Sequence, residues 1–159
     1  MSNTFFLLFT AAIFIFAIGK SIYYFLEKNK ILKICRHTNS IELKNISGTI
    51  FTNEGTFKKK YEWCSFDVLI NDNSIFLFSK GFSVIPFKVF NLLFSNSNRK
   101  NTRKPTLLRE YKISSNAVQL VYYREYLNAR SREITLQNLN TEQVSLFESL
   151  LEGKSRRFY

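Results

Sequence analysis

The clearest structural signal in the chain is a hairpin in residues 61–80, YEWCSFDVLINDNSIFLFSK. Every second residue from Cys64 through Ile70 is apolar, which is typical of one buried face of a strand. The turn sequence Asn-Asp-Asn follows and leads directly into a second apolar run, SIFLFSK. We therefore predict two antiparallel strands that are joined by a tight turn.

Further strand-like runs lie on both sides of this hairpin. Each combines alternating apolar residues with turn-forming residues at its ends. They read ISGTIFT from residue 46, PFKVFNLLF from 86, LLREYKIS from 107, AVQLVYYREY from 117 and REITLQNL from 132. Together with the hairpin they predict about seven short strands in a mainly antiparallel β arrangement that begins near residue 44.

A helix is predicted at residues 140–152, after the last strand. Asn140 is a good N-cap residue, and Gln143 three positions later completes a variant of the capping box. Apolar residues then recur at helical spacing, at Val144, Phe147, Leu150 and Leu151. Gly153 is suited to the C-cap, and the basic residues 154–159 are predicted to form a tail.

This order of strands followed by one amphipathic helix resembles the pleckstrin-homology-like superfold. The resemblance covers residues 44–153 and implies an α+β domain, in which two antiparallel sheets form a split β-barrel and the terminal helix plugs one open end. Small bacterial membrane proteins often combine transmembrane helices with such a domain. The usual tryptophan of the family's helix is missing here, because the single Trp63 lies on the second strand.

The resemblance also draws attention to the first hairpin of the domain. Lipid-binding members of the superfold carry basic residues there, and Lys58, Lys59 and Lys60 fall at that place in this chain. The complete phosphoinositide pattern of the family is absent, so a particular lipid is not implied.

The N-terminal residues 1–27 are predicted to form a transmembrane anchor. The run from residue 4 to 26 is almost wholly apolar, and 23 residues suffice to cross a bilayer. The anchor includes an apolar face, one lysine that can extend to the head groups and two tyrosines suited to the interface: Phe5, Leu8, Ile13, Phe16, Lys20, Tyr23 and Tyr24. A cleaved signal peptide and a helix buried in a soluble fold are the alternatives.

The charge distribution around the anchor predicts its orientation. No Lys or Arg precedes Lys20, whereas Lys28, Lys30, Lys33 and Arg36 follow the apolar run. The positive-inside rule then predicts a single-pass protein of the inner membrane with its domain in the cytoplasm. Residues 28–43 are predicted to be a juxtamembrane linker, which could continue the membrane helix as an amphipathic stalk or simply connect the anchor to the domain.

The net charge of +11 and the pI of about 9.8 favour acidic partners, either anionic lipid or an acidic protein. The candidate contacts are basic residues of two predicted loops: Lys58, Lys59, Lys60, Arg99, Lys100, Arg103 and Lys104. Nucleic acid is disfavoured, because no nucleic-acid motif occurs and the anchor argues against it. A small-molecule substrate is disfavoured as well.

The sequence contains little that would support catalysis. His37 is the only histidine, and Cys35 and Cys64 do not form a Cys-x-x-Cys pair. With only five glycines there is no glycine-rich phosphate loop, and we expect no cofactor and no metal. The sequence therefore predicts a membrane-tethered, non-catalytic binding or scaffold domain. A structural subunit of a membrane complex and an exported domain that is released from a signal peptide are the alternatives.

Overall fold

A computed structural model describes residues 2–55, 58–94, 106–123 and 130–152 of the chain. It contains one long N-terminal helix, a curled sheet of eight strands and a C-terminal helix. The elements are α1 (Ser2–Cys35), β1 (Ile41–Asn53), β2 (Lys59–Asn71), β3 (Ser74–Gly81), β4 (Ile85–Leu93), β5 (Thr106–Leu107), β6 (Glu110–Ser114), β7 (Ala117–Tyr123), β8 (Ser131–Gln137) and α2 (Thr141–Leu151).

The strands form one mixed sheet in the order β5-β4-β3-β2-β1-β8-β7-β6, curled into a half-barrel. The predicted hairpin is confirmed, because β2 and β3 pair antiparallel from Asn71 with Ser74 to Ser65 with Lys80. Strand β1 pairs with β2 along one edge and with β8 along the other. It therefore joins the β2–β4 strands to the β6–β8 strands.

The number of strands differs slightly from the predicted seven. The run LLREYKIS contributes to two strands, since Thr106–Leu107 pairs parallel with β4 whereas Glu110–Ser114 pairs antiparallel with β7. The change of partner is visible in the backbone: the N–H of Leu108 donates to the carbonyl of Leu93, and that of Arg109 donates to the carbonyl of Val121, both at 2.9 Å. This short segment thus connects the two ends of the sheet.

The main hydrophobic core lies on the inner face of the half-barrel. Phe66, Val68, Ile75 and Leu77 from the hairpin are fully buried there with residues of β1, β4, β7 and β8. Helix α2 packs against this core through Val144, Phe147 and Leu151. Burial of apolar side chains on this face is the main stabilising contribution to the domain.

The predicted capping box of α2 is present. Asn140 accepts a hydrogen bond from the N–H of Gln143 at 2.8 Å, and the side chain of Gln143 accepts one from the N–H of Asn140 at 3.1 Å. Such a cap contributes on the order of 1 kcal/mol. It fixes the start of α2 directly after β8, which places the apolar stripe over the core. Gly153 and the tail at residues 154–159 lie outside the described residues.

A second, smaller core lies on the outer face of the sheet. Leu69, Phe76 and Phe78 are buried there, and Ile31, Leu32 and Cys35 of α1 pack against them. Helix α1 therefore continues through residues 28–35 of the predicted linker, and its last two turns are part of the folded domain. The anchor segment and the sheet are joined by side-chain packing as well as by the chain itself.

Candidate functional site

A charged cluster ties α1 to the outer face of the sheet. Asp67 of β2 accepts hydrogen bonds from Lys28 of α1 at 2.5 Å, from Lys80 of β3 at 2.7 Å and from the backbone N–H of Asn45 at 3.1 Å. Burial alone would favour the neutral carboxyl, but these donors outweigh it and lower the pKa of Asp67 below its ordinary value. Lys28 also lies 5.6 Å above the ring of Phe78.

A second set of polar contacts holds the C-terminal end of α1. The side-chain N–H of Asn71 donates to the carbonyl of Cys35 at 2.9 Å, and Ser40 donates to the side-chain oxygen of Asn71 at 2.6 Å. The N–H of His37 in turn donates to Ser40 Oγ at 2.8 Å. These bonds satisfy a carbonyl at the helix end and attach it to the last residue of β2.

The two sets of contacts define how α1 runs along the domain. Lys28 meets Asp67 and Cys35 meets Asn71, so α1 and β2 run in the same general direction over this stretch. Going back along α1 from Lys28 therefore leads toward the start of β2. The β1–β2 and β3–β4 hairpins lie at that end of the sheet, and they project toward the apolar part of α1.

The predicted lysine run lies at the tip of the β1–β2 hairpin. Lys58 forms an ion pair with Glu54, and Lys60 forms one with Glu62, each at 3.1 Å, while both lysines stay largely exposed to solvent. Lys59, at the start of β2, is also exposed. The hairpin thus presents three lysines on its surface.

Glu62 is shared between two lysines. It pairs with Lys88 of β4 at 2.5 Å as well as with Lys60. Burial opposes its ionisation, but the hydrogen bonds from Lys88 and Lys60 lower the pKa of Glu62 below its ordinary value. Four lysines therefore surround two glutamates at this end of the sheet, and an excess of positive charge is left facing outward.

The remaining predicted basic contacts, Arg99, Lys100, Arg103 and Lys104, lie outside the described residues. The predicted anchor residues are all on α1, and Phe5, Leu8, Ile13 and Phe16 are more than half exposed. Lys20 and Tyr23 are exposed and Tyr24 is half-buried, with the two tyrosine rings in edge contact at 5.4 Å. In the described part of the chain, α1 is the one helix long and apolar enough to cross a membrane.

The two cysteines lie on opposite faces of the sheet. Cys35 and Cys64 are both free thiols, and they pack against the outer and the inner core respectively. Burial, assisted by the nearby carboxylate of Glu62, raises the pKa of Cys64 to about 12, so the nucleophilic thiolate is scarce at neutral pH. Within residues 2–55, 58–94, 106–123 and 130–152, no three His, Cys, Asp or Glu side chains gather as metal ligands would.

Sequence reasoning found the lysine run but missed the contacts of Asp67, because Lys28 lies 39 residues and Lys80 lies 13 residues away along the chain. One signal was present. Asp67 is a single carboxylate on the outer face of a strand whose neighbours are mostly apolar, and such a group usually has a partner.

Comparison with known proteins adds no assignment. No protein-family model matches this chain, and no curated protein matches it at a significant level. The function must therefore be inferred from the arrangement of the described residues.

Proposed function

We propose that this chain is a membrane-tethered, non-catalytic binding domain of the pleckstrin-homology-like type. Helix α1 crosses the membrane once, the half-barrel lies on its cytoplasmic face, and the lysine-rich end of the sheet engages acidic lipid head groups. The observation that carries the proposal is the position of the β1–β2 hairpin, which projects toward the apolar part of α1 and carries Lys58, Lys59 and Lys60.

The strand order supports the pleckstrin-homology-like assignment. Apart from the two-residue β5, the sheet consists of two antiparallel groups, β1–β4 and β6–β8, joined by the pairing of β1 with β8. Helix α2 follows and packs on the core between them. Two antiparallel sheets with a terminal helix at one opening are the arrangement that the resemblance implies.

The surface of α1 supports a transmembrane role. Within the segment Thr4–Cys35, the most apolar stretch of 18 residues has a mean hydropathy of 2.2, and none of that stretch is buried by the rest of the described structure. At about 1.5 Å per residue, the part from residue 4 to 24 spans about 30 Å, which matches a hydrocarbon core. The basic residues that follow it favour a cytoplasmic domain.

Tethering makes weak lipid contacts sufficient. Each basic residue near an anionic surface contributes about 1 kcal/mol, and salt reduces this contribution. Because α1 holds the domain at the membrane, the hairpin meets head groups at a high effective concentration without having to bind them tightly. The ion pairs of Lys58 and Lys60 with glutamates reduce the gain but leave the exposed lysine ends available to solvent and lipid.

Hydrogen exchange of the full chain in lipid nanodiscs tests this proposal. We expect the β1–β2 hairpin to exchange about tenfold more slowly in nanodiscs containing anionic phosphatidylserine than in purely zwitterionic ones. The double variant Lys58→Gln/Lys59→Gln should lose this difference. A matched variant, Lys44→Gln/Lys112→Gln, removes the same charge at exposed positions away from the tip of the hairpin and should keep it.

Equal exchange of the hairpin in both kinds of nanodisc would overturn lipid engagement. In that case the lysine run would be free for an acidic protein, which is the other partner class that the charge allows. Loss of the difference in the matched variant as well would show a response to net charge alone, and would also contradict a specific role for the hairpin.

A further inference from the structure

We propose that the β3–β4 turn and Trp63 form an apolar wedge that enters the interfacial region of the bilayer crossed by α1. The wedge consists of Trp63, Phe82 and Val84. This inference rests on the proposed function, because it requires α1 to span that bilayer. It adds a second, uncharged contact to the lysine-rich hairpin.

The wedge residues are unusually exposed for large apolar side chains. Phe82 is 94% exposed, Trp63 78% and Val84 75%. Tyr61, on the same strand as Trp63, is 62% exposed and stacks at an angle on Phe51 with ring centroids 5.0 Å apart. A group of exposed apolar residues at one end of a domain marks an interaction surface rather than a solvated one.

The backbone holds the tip of the wedge in a strained form. Phe82 and Ser83 have φ values of 50° and 61°, in the left-handed region that non-glycine residues rarely adopt. This conformation has a steric cost for residues that carry a Cβ. The side chain of Phe82 recovers little of that cost by packing within the chain, because it is almost fully exposed. Insertion into an apolar environment would offset the strain.

The wedge lies near the level at which α1 leaves the bilayer. Lys28 of α1 lies beside Asp67 and over Phe78. Trp63 is four residues before Asp67 and Phe82 four after Phe78, so each reaches at most about 13 Å further toward the apolar segment. Lys20 lies about 12 Å before Lys28 along the axis of α1. Since the curl of the sheet shortens the reach of the strands, the wedge falls between the level of Lys28 and about that of Lys20.

The chemistry at this level matches a membrane interface. Tryptophan and tyrosine accumulate at the head-group boundary, where an apolar ring and a polar group are both accommodated. Lysines such as Lys59 and Lys60 beside the wedge can direct their amines to the phosphates. A second copy of the chain is a less suitable partner for the wedge, because it would bring two positively charged, lysine-rich ends together, and these would repel each other.

The fluorescence of Trp63 provides a direct test, since it is the only tryptophan in the chain. The full chain is reconstituted into zwitterionic phosphatidylcholine vesicles, with or without bromine on the upper part of the acyl chains. We expect brominated lipid to quench Trp63 about twofold and aqueous iodide to quench it weakly. The variant Phe82→Ser/Val84→Ser should restore iodide quenching. Its circular dichroism should match that of the parent chain, which excludes unfolding as the cause.

A relocated tryptophan serves as the control. The variant Trp63→Tyr/Ile41→Trp places the fluorophore at the start of β1, at the opposite end of the sheet from the wedge. We expect iodide to quench it and brominated lipid to leave it unchanged.

The outcomes separate this inference from the proposed function. Resistance of the protein to alkaline carbonate extraction shows whether α1 is integrated in the vesicles. If α1 is integrated but Trp63 is quenched by iodide and not by brominated lipid, the wedge alone is overturned. If Trp63 is shielded from both quenchers, it is covered by a second copy of the chain, and the wedge is overturned as well. Extraction by carbonate would overturn the tether and the wedge together.

Discussion

Replacing Gly48 with alanine is expected to destabilise the domain by at least about 3 kcal/mol. A Cβ at this position would lie 2.2 Å from the backbone oxygen of Thr135 and 2.9 Å from Cε2 of Phe66. The first contact is with the backbone of β8, which cannot move without disturbing the pairing of Gly48 with Leu136. The second is with a fully buried ring of the core. One methyl group thus strains both neighbours of β1.

The effect is measured by urea unfolding of the full chain in detergent micelles, followed by amide exchange in β1 and β8. Gly19→Ala is the matched control, since a Cβ on Gly19 meets nothing within 4 Å. It should leave the unfolding of the sheet unchanged. An unfolding midpoint for Gly48→Ala equal to that of the parent chain would contradict the close approach of β1 and β8.

Replacing Asp67 with alanine is expected to release the end of α1 from the sheet. The substitution leaves Lys80, whose side chain is only 13% exposed, and Lys28 without their carboxylate. Removing one partner of a partly buried charged cluster costs about 2–4 kcal/mol. We expect protection factors of the amides at residues 28–35 to fall at least about tenfold, because the cluster is the charged part of an attachment that otherwise consists of three apolar residues and the hydrogen bond from Asn71 to Cys35.

The attachment of α1 to the sheet through Asp67 should weaken as the pH falls. The pKa of Asp67 in the folded protein lies below its ordinary value of about 3.9. Its stabilising contribution is therefore complete at pH values above the ordinary pKa and is lost as the pH falls through it toward the folded pKa. Protection of residues 28–35 should drop on acidification below about pH 4 in the parent chain and change much less in Asp67→Asn.

The exposed ion pair between Arg36 and Glu42 gives the control for this cluster. Arg36 Nε and Glu42 Oε1 are 3.2 Å apart, but the side chain of Arg36 is 63% exposed. Such exposed ion pairs contribute little to stability. Arg36→Ala should therefore leave the protection of α1 nearly intact. If Asp67→Ala behaves like Arg36→Ala, the cluster does not hold α1 on the sheet.

Local patterns in the sequence were sufficient for the features that depend on neighbouring residues. The hairpin follows from alternation in YEWCSFDVLI and from the Asn-Asp-Asn turn, and the structure confirms it. The start of α2 follows from Asn140 and Gln143, which are three residues apart and bond to each other as predicted. In both cases the interacting groups lie close in sequence.

Contacts between distant segments were not predictable in the same way. The short parallel pairing of Thr106–Leu107 with β4 has no periodicity of its own. The packing of α1 on the outer face was indicated only by SIFLFSK, in which Ser74 through Ser79 are buried on both faces of β3. Continuous apolar runs of this kind imply that both faces of a strand are covered, but they do not identify what covers them.

The same distinction between local features and long-range contacts applies to the candidate site. Lys58, Lys59 and Lys60 could be placed on a hairpin from the sequence, but their position relative to the apolar part of α1 could not. That position depends on the contacts of Lys28 with Asp67 and of Cys35 with Asn71, which join α1 to β2 across more than thirty residues. The wedge that we propose was not predicted, because the sequence does not show whether Phe82 is exposed or buried.

The topology of the full chain in a membrane tests the central proposal most directly. A tag is placed after Tyr159, and protease is added to intact spheroplasts that express the protein, with lysed spheroplasts as the control. We expect a full-length protein in the membrane fraction, whose tag is digested only after lysis. Digestion of the tag in intact spheroplasts, or a soluble product that has lost its N-terminal segment, would contradict a cytoplasmic domain tethered by α1.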